Sequence, residues 1–404
     1  MEKILMRIAL LPDDYLPSST LVHAKMFHEL AQELIKQGHD VVVITPGLPD
    51  QNIKLLKETF DGVQVWRFRA GERRGVSKLK RALNESLLSF HAWSAIKGEV
   101  DKAPFDLCVN YSPTIFFGGL TTKLREKYNT YIYLVLRDLF PQWVIDEGMI
   151  KEASLIAKYF RYFEHLNYKA SDTIGLMSQA NIDYFSSTNP QYKNTEVLLN
   201  WASVIPSKFD SYSINIRKEF KLTNKVIFFY GGNIGHAQDM SNLLRLANNI
   251  KGYLNAHFLF IGQGDEFELI NTLKDDLELD NVTILPSVNQ VQYKEVLTQV
   301  DVGLFSLAKT HKAHNFPGKL LGYMTQSLPI LGSVNTGNDL INYINDSKSG
   351  FAYVNGNDEE LTEGAIALLS DIALRKKMGA NAYKLLKQKF SVEQAARKLL
   401  SVME

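Results

Sequence analysis

Within its first 45 residues the chain changes hydrophobic period twice. Met6–Leu11 (MRIALL) is a short continuous apolar run, the pattern of a buried strand. Ala24, Phe27, Ala31, Leu34 and Ile35 then recur at helical spacing, Gly38 stops them, and Val41–Thr45 (VVVIT) is a second apolar run. A strand, a helix and a strand in so short a stretch imply a right-handed crossover between parallel strands. The rest of the chain has to fit a sheet that begins this way.

The alternation continues. Further strands are predicted near Val63–Phe68 and at Phe105–Asn110, Tyr131–Leu136, Thr173–Met177 and Glu196–Leu199. Helices fall at about 77–97, 114–127 and 153–168, with a short one after Ser178. Asn200–Ile216 (NWASVIPSKFDSYSINI) breaks the pattern with Pro and Ser. A second series then runs through Lys225–Tyr230 (KVIFFY), His257–Ile261 (HFLFI), Val282–Leu285, Asp301–Phe305 (DVGLF) and Pro329–Leu331. Such alternation implies parallel sheets covered on both faces. The expected fold class is α/β: two doubly wound, Rossmann-like domains facing a cleft. The expected bounds are a first domain over 1–200, a linker over 201–216 and a second domain over 217–385. A C-terminal helix over 386–404 is expected to return towards the first domain. A chain of 404 residues has room for two such cores. Ligands of these folds lie outside the carboxyl ends of the strands, so residues just after strands are the candidates.

Several classes drop out. A net charge of +1 gives no global pull towards nucleic acid. No apolar run approaches the ~18 residues of a membrane-spanning helix. Met1–Leu11 lacks the length and cleavage site of a signal peptide. The single cysteine, Cys108, sits in a strand pattern (FDLCVN) and reads as a buried thiol in a reducing compartment. There is no Asp-x-Asp, no GKS or GKT loop and no Gly-x-Ser-x-Gly, so no metal and no resident cofactor are expected.

The stretch after Phe305 concentrates the chemistry. Ala308–Gly332 (AKTHKAHNFPGKLLGYMTQSLPILG) holds Asn315 as a possible helix cap, Pro317 at a first helical position and Lys319 in the first turn. Gly318 and Leu320 flank that lysine. A helix start carrying a cation, just beyond a strand, suits an anion such as a diphosphate. His314 either donates to a phosphate or sugar or is a loop histidine. His311 and His314 lack an evident third ligand for a metal. Gly231-Gly232-Asn233-Ile234-Gly235, with Gln238 nearby, either makes a tight turn or lets N–H groups approach a phosphate. Gly262 and Gly264 after HFLFI serve either close packing or ligand approach. In the first half, Ser18, Ser19 and Thr20 either cap the first helix or face the donor. Ser112 follows the strand Phe105–Asn110. Arg137 and Asp138, after Leu136, form a structural pair, or else Asp138 or Glu147 binds sugar hydroxyls. Arg67–Arg81 (RFRAGERRGVSKLKR) holds seven cations and one acid. With the apolar helix that follows, it is either a solvated face or a docking surface for an anionic membrane.

Taken together, these segments resemble the family-4 retaining glycosyltransferases of the GT-B fold, over essentially the whole chain. FYGGNIGHAQD and FIGQGDE resemble that family's two donor-domain glycine loops, and FPGKLLGYMTQSLPIL its P-x-K-L-x-E-Y-M-x-x-G-x-P segment. The wording is most similar to enzymes of O-antigen and capsule synthesis that transfer N-acetyl-L-fucosamine: LRDLFPQWVIDEG at Leu136–Gly148, Leu199–Ser203, Gly231–Met240 and Ala313–Met324. The resemblance implies a UDP-activated amino sugar in the C-terminal domain and a polyprenyl-diphosphate-linked saccharide as acceptor in the N-terminal one. It also implies retention of configuration at the inner face of the bacterial cytoplasmic membrane. It makes Lys319, His314 and Asp138 the candidate catalytic residues. Two glutamates usual in the family fall here on His314 and Gly322, so their roles do not carry over. A nucleotide-sugar epimerase of the same fold and a non-catalytic glycan- or nucleotide-binding subunit are the alternatives.

Overall fold

The computed structural model describes residues 5–19, 21–73, 75–146, 148–310, 314 and 316–404. Thr20, Glu147, His311 and Asn315, all named above, lie outside the described residues. The chain divides into two compact units. One runs up to Leu199 and includes Ala395–Glu404, and the other is Asn200–Gln394.

In the first unit the elements follow as β1 (Arg7–Leu11), α1 (Val22–Lys36), β2 (Asp40–Pro46), β3 (Leu55–Phe60), β4 (Val63–Phe68), α2 (Lys78–Ser86), α3 (Leu88–Lys102), β5 (Leu107–Ser112), α4 (Gly118–Tyr128), β6 (Tyr131–Leu136), α5 (Gln142–Asp146), α6 (Leu155–Lys169), β7 (Thr173–Leu176), α7 (Gln179–Thr188) and β8 (Thr195–Val197). Among the described residues they form one sheet in the order β3-β4-β2-β1-β5-β6-β7-β8, parallel except where β3 meets β4. The run MRIALL becomes the centre of this sheet. Ile8–Leu11 are fully buried, and Phe27, Leu30, Ala31 and Leu34 of α1 pack into the core as well.

The second unit contains α8 (Ile216–Glu219), β9 (Val226–Asn233), α9 (Met240–Asn249), β10 (Ala256–Gln263), α10 (Phe267–Asp276), β11 (Val282–Pro286), α11 (Gln290–Leu297), β12 (Val302–Ser306), α12 (Lys319–Thr325), β13 (Ile330–Val334), α13 (Leu340–Asp346), β14 (Gly350–Val354), α14 (Asp358–Ser370), α15 (Ile372–Leu385) and the start of α16 (Val392–Leu400). Its sheet, among the described residues, has the order β11-β10-β9-β12-β13-β14, with every pairing parallel.

Each sheet winds outwards in two directions from its first strand. The reversal lies between β1 and β5 in one unit and between β9 and β12 in the other. At such a point the flanking loops diverge and leave a crevice beyond the strand ends.

Two expectations are corrected, and one strand is additional. The antiparallel edge strand β3 (LLKETF) is not among the expected strands, because its polar residues alternate without an apolar run. The helix expected over 77–97 breaks at Leu87, which closes α2 and opens α3. Pro317 is not the first helical residue: α12 starts at Lys319, with Gly318 at the cap and no side-chain cap bond. The stretch 201–216 packs onto its neighbours. Trp201 is fully buried, and the N–H groups of Ser213 and Ile214 both donate to the Glu295 carboxylate at 3.0 Å. Cys108 is buried in β5, and burial pushes its thiol well up.

Candidate functional site

In the second unit the site begins where β9 and β12 part. Their pairing covers only Val302–Phe228 and Gly303–Phe229. Beyond it the Tyr323 hydroxyl of α12 takes over the main-chain groups. It stands 3.1 Å from the Leu304 carbonyl, 3.3 Å from the Phe229 carbonyl and 3.3 Å from the Gly231 N–H, which donates to it. Gly303 makes room for that ring: a Cβ there would come within 2.3 Å of it. The short helix α12 is thereby fixed against the end of β9.

This anchoring places Lys319. Its Nζ lies 3.3 Å from the centroid of the Tyr230 ring, over the aromatic face. Burial pushes its ammonium well below the ordinary lysine range. Among the described residues no carboxylate forms an ion pair with it. Gly232, exposed at the end of β9, has φ +131°, and a Cβ there would lie 3.4–3.5 Å from the end of the Lys319 side chain. A desolvated cation with no counter-charge among the described residues, beside exposed glycine backbone, has the chemistry to take an anion brought from outside.

The neighbouring loops frame it. The Asn233 side-chain amide donates to Gln238 Oε1 at 2.7 Å, so these two candidates hold each other. Gly235 leads into a tight turn, His236–Gln238, before α9. Gly262 and Gly264 serve close packing: a Cβ on either would fall about 2 Å from the carbonyl oxygens of Gly232 and Ile234 respectively. Ile234 N–H donates to the Gln263 carbonyl at 2.9 Å and locks the two loops together. Leu320 is fully buried, and its N–H donates to the Pro317 carbonyl at 3.1 Å. Half-buried His314 stands beside Gly337, where a Cβ would lie 3.5 Å from its Cε1. Burial lowers its imidazole pKa, with the Asp339 carboxylate pulling the other way.

In the first unit the corresponding crevice lies beyond β1 and β5. Tyr111, near the end of β5, is tilted against His23 of α1 with ring centroids 4.9 Å apart. His23 Nε2 is 3.1 Å from Asp13 Oδ1, in the loop after β1. Burial works against the Asp13 charge, yet His23 and Arg73 hold its pKa below the usual value. Arg73 also donates to the Asp13 carbonyl at 3.0 Å. Asp138 follows β6. Burial alone raises its pKa to about 6, and no hydrogen bond from a described residue reaches its carboxylate. Arg137 turns to the main chain, donating to the carbonyls of Leu198 at 2.8 Å and Gly175 at 3.2 Å. Ser19 is likewise internal: its hydroxyl donates to Asp14 at 2.8 Å and accepts from Leu21 N–H. Ser18 is exposed at the rim of a cavity of about 410 Å³, lined also by Asp50, Gln51, Asn52 and Glu58. Ser112 is fully buried, so its hydroxyl is set back from the crevice.

Comparison with known proteins fits this geometry. Residues 212–385 match the family model described as glycosyl transferases group 1. That match lies within the second unit, Asn200–Gln394, and covers the loops around Lys319. The probable glycosyltransferase WbjE of Pseudomonas aeruginosa is 24% identical over 225 residues, 54% of either chain, so the match spans about half the length of that relative. The putative colanic acid biosynthesis glycosyl transferase WcaI of Escherichia coli is 22% identical over 70% of this chain and 72% of its own. Among solved structures, sucrose-phosphate synthase from Thermosynechococcus elongatus has a TM-score of 0.71 at 14% identity, covering 98% of both chains. Anabaena HepE, in complex with UDP and glucose, has a TM-score of 0.66 at 14% identity, covering 98% of this chain and 99% of its own. The fold is GT-B.

The first unit holds two residues that sequence reasoning missed, Asp13 and His23, grouped with Tyr111. Asp13, His23 and Tyr111 come from three separate elements. The signal for two of them was present: paired acids immediately after a central strand, and a histidine in the first turn of the next helix.

Proposed function

We propose that this protein is a retaining glycosyltransferase. In this reading it moves N-acetyl-L-fucosamine, or a close N-acetylated amino sugar, from UDP to a polyprenyl-diphosphate-linked saccharide. The pathway is the synthesis of a cell-surface polysaccharide. The observation that carries it is Lys319, a half-buried lysine with no counter-charge among the described residues, held over Tyr230 beside Gly232 in the segment that matches the group 1 family model. The donor class is supported by the UDP complex of the Anabaena neighbour, and the pathway class by the colanic acid relative. The sugar's identity rests on the sequence resemblance.

The chemistry follows from charge. As the bond from the anomeric carbon to the β-phosphate oxygen breaks, negative charge collects on the departing diphosphate. Lys319 and the N–H groups at the end of β9 stabilise it there more than in the ground state. The acceptor hydroxyl attacks from the same face, and the departing phosphate oxygen takes its proton. No protein nucleophile and no metal enter this scheme. On the acceptor side Asp138, with a pKa of about 6, is ionised at neutral pH and accepts hydrogen bonds from sugar hydroxyls.

Incubation with UDP-sugars and a membrane lipid extract, followed by mass spectrometry of the lipid fraction, tests the reading. A lipid product heavier by one N-acetylated deoxyhexose is expected. Release of a free epimerised sugar nucleotide without acceptor, or binding without turnover, would overturn it.

A further inference from the structure

Two histidines of α1, His23 and His28, are used differently. His28 is closed: Nδ1 lies 2.7 Å from the Tyr15 hydroxyl, Nε2 lies 3.6 Å from Asp61 Oδ2, and the residue is 6% exposed. Both ring nitrogens face groups of the same unit, as packing requires. His23, in the first turn, is open. Its Nε2 lies 3.1 Å from Asp13 Oδ1, but no described residue hydrogen-bonds Nδ1, and the side chain is 12% exposed. A histidine with one nitrogen tethered and one left over suits a ligand better than a core.

The His23 ring is held on two sides. Asp13, in the loop after β1, takes the edge. Tyr111 of β5 takes the face, with ring centroids 4.9 Å apart and planes 30° apart, and Phe27 packs against that tyrosine at 5.0 Å. Against the effect of burial, His23 and then Arg73 keep the Asp13 carboxylate ionised. A carboxylate at Nε2 favours a hydrogen on that nitrogen, which leaves Nδ1 as an acceptor of hydrogen bonds. Asp138 belongs to the same neighbourhood. Burial pushes the pKa of the Tyr111 hydroxyl up, and the charges of Arg137, Asp13 and Asp138 all bear on it. This wall of the crevice therefore offers two acceptors of hydrogen bonds, Nδ1 and the Asp138 carboxylate, that no described residue uses. A saccharide brings the donors they need; a diphosphate brings none.

We propose that His23 is a specificity-determining residue of the first unit: its Nδ1 accepts a hydrogen bond from a hydroxyl of the acceptor sugar other than the one that reacts, and Asp13 is the positioning residue that holds the ring for it. The proposal rests on the transferase reading above and leaves the proton path of that reading unchanged. Asp138 takes a second hydroxyl of the same sugar, so the two groups together read its stereochemistry. A site built to pair a hydroxyl rejects the analogue that lacks it, because the protein group is then left unsatisfied.

The test uses octyl glycosides of glucose, galactose, N-acetylglucosamine and N-acetylgalactosamine as acceptor probes. Binding is followed by saturation-transfer NMR and transfer by mass spectrometry. His23→Gln keeps a donor where Nε2 faces Asp13 but has nothing at Nδ1. It should raise the acceptor KM about tenfold or more, lower kcat by less, and leave the donor KM and the thermal melt as in the wild type. His23→Asn keeps a polar atom near Nδ1 and should recover part of the loss. Asp13→Asn, which preserves shape, should fall between the wild type and His23→Gln. With monodeoxy forms of the best probe, one form should give the wild type and His23→Gln the same KM, which identifies the hydroxyl that His23 holds. Wild-type acceptor KM in His23→Gln, or an equal loss for every deoxy form, would overturn the proposal. If His23→Gln melts early, Asp13→Asn with the same deoxy forms decides in its place. Probe binding that His23→Gln abolishes, without any transfer, would leave this contact standing and remove the transferase reading. Transfer that ignores His23 would do the reverse, and a wild type that neither binds nor extends any probe would remove both.

Discussion

At the β9–β12 switch point the desolvated charge is an ammonium beside glycine backbone. In the other sheet, just beyond β6, it is the carboxylate of Asp138. Burial moves both pKa values towards the neutral form, Lys319 downwards and Asp138 upwards. Neither has an ionic partner among the described residues. The crevice ends of the two sheets thus hold opposite charges, at the switch point in one and one strand beyond it in the other. The difference matches what each would meet: a diphosphate, which needs a fixed cation, and sugar hydroxyls, which need an acceptor of hydrogen bonds. Groups kept against their own stability in this way are marked for function.

Removing Lys319 should break the comparison most. Lys319→Met is expected to lower kcat/KM for the donor about 100-fold or more. It should leave the melting temperature unchanged or higher, since a buried charge is gone. Donor kinetics beside a thermal melt decide it; a near-wild-type rate would remove the cation from the mechanism.

Asp138→Asn should show the same pairing of lost activity and gained stability. Turnover is expected to fall about tenfold to 100-fold. The folded carboxyl titrates at about 6 against an ordinary value of 3.8, so ionisation is harder in the folded state. The penalty is fully present above pH 6 and absent below the ordinary value. The substitution should therefore raise unfolding stability by roughly 2–3 kcal/mol at pH 7–8, with the gain fading as pH falls towards 4. Wild-type activity should decline as pH drops through about 6. A variant as unstable as the wild type at pH 8 would mean that this carboxylate is not desolvated.

Smaller effects sharpen the picture. Gly232→Ala places a side chain at φ +131°, next to the Lys319 ammonium. It should cost about 1–2 kcal/mol of stability and weaken UDP binding several-fold by calorimetry. Asp13→Asn removes the partner of His23. The Asp13 carboxyl is held below its ordinary range, so the stability it contributes is present above that range and lost as pH falls beneath it. The substitution should cost about 1 kcal/mol at neutral pH and nearly nothing at acid pH. It should raise the acceptor KM more than it lowers kcat.

The sheets were legible because their strands are continuous apolar runs, and such runs survive without knowledge of the partner strand. MRIALL became β1 nearly residue for residue, and KVIFFY and HFLFI became β9 and β10, which run on to Asn233 and Gln263. The edge strand LLKETF was invisible because its outer residues alternate with solvent-facing ones. Lys319 was legible as a cation within an apolar segment after a strand. Its burial was not, because the lid on it is Tyr230, far away in sequence. Asp13 and His23 were missed for the same reason: each is ordinary alone, and only the β1–β5 neighbourhood brings them together with Tyr111. Within the basic run composition counts Arg67 as a surface charge, whereas β4 turns it inwards onto Glu58.

One feature of the fold bears on how the protein is made. The compact unit of the first half includes Ala395–Glu404, where Ala396 and Leu399 are buried and Lys398 reaches Glu196 at 2.6 Å. On a ribosome the first sheet can assemble early, but one strip of its surface stays uncovered until almost 200 further residues have been translated. The second unit has to fold inside that interval.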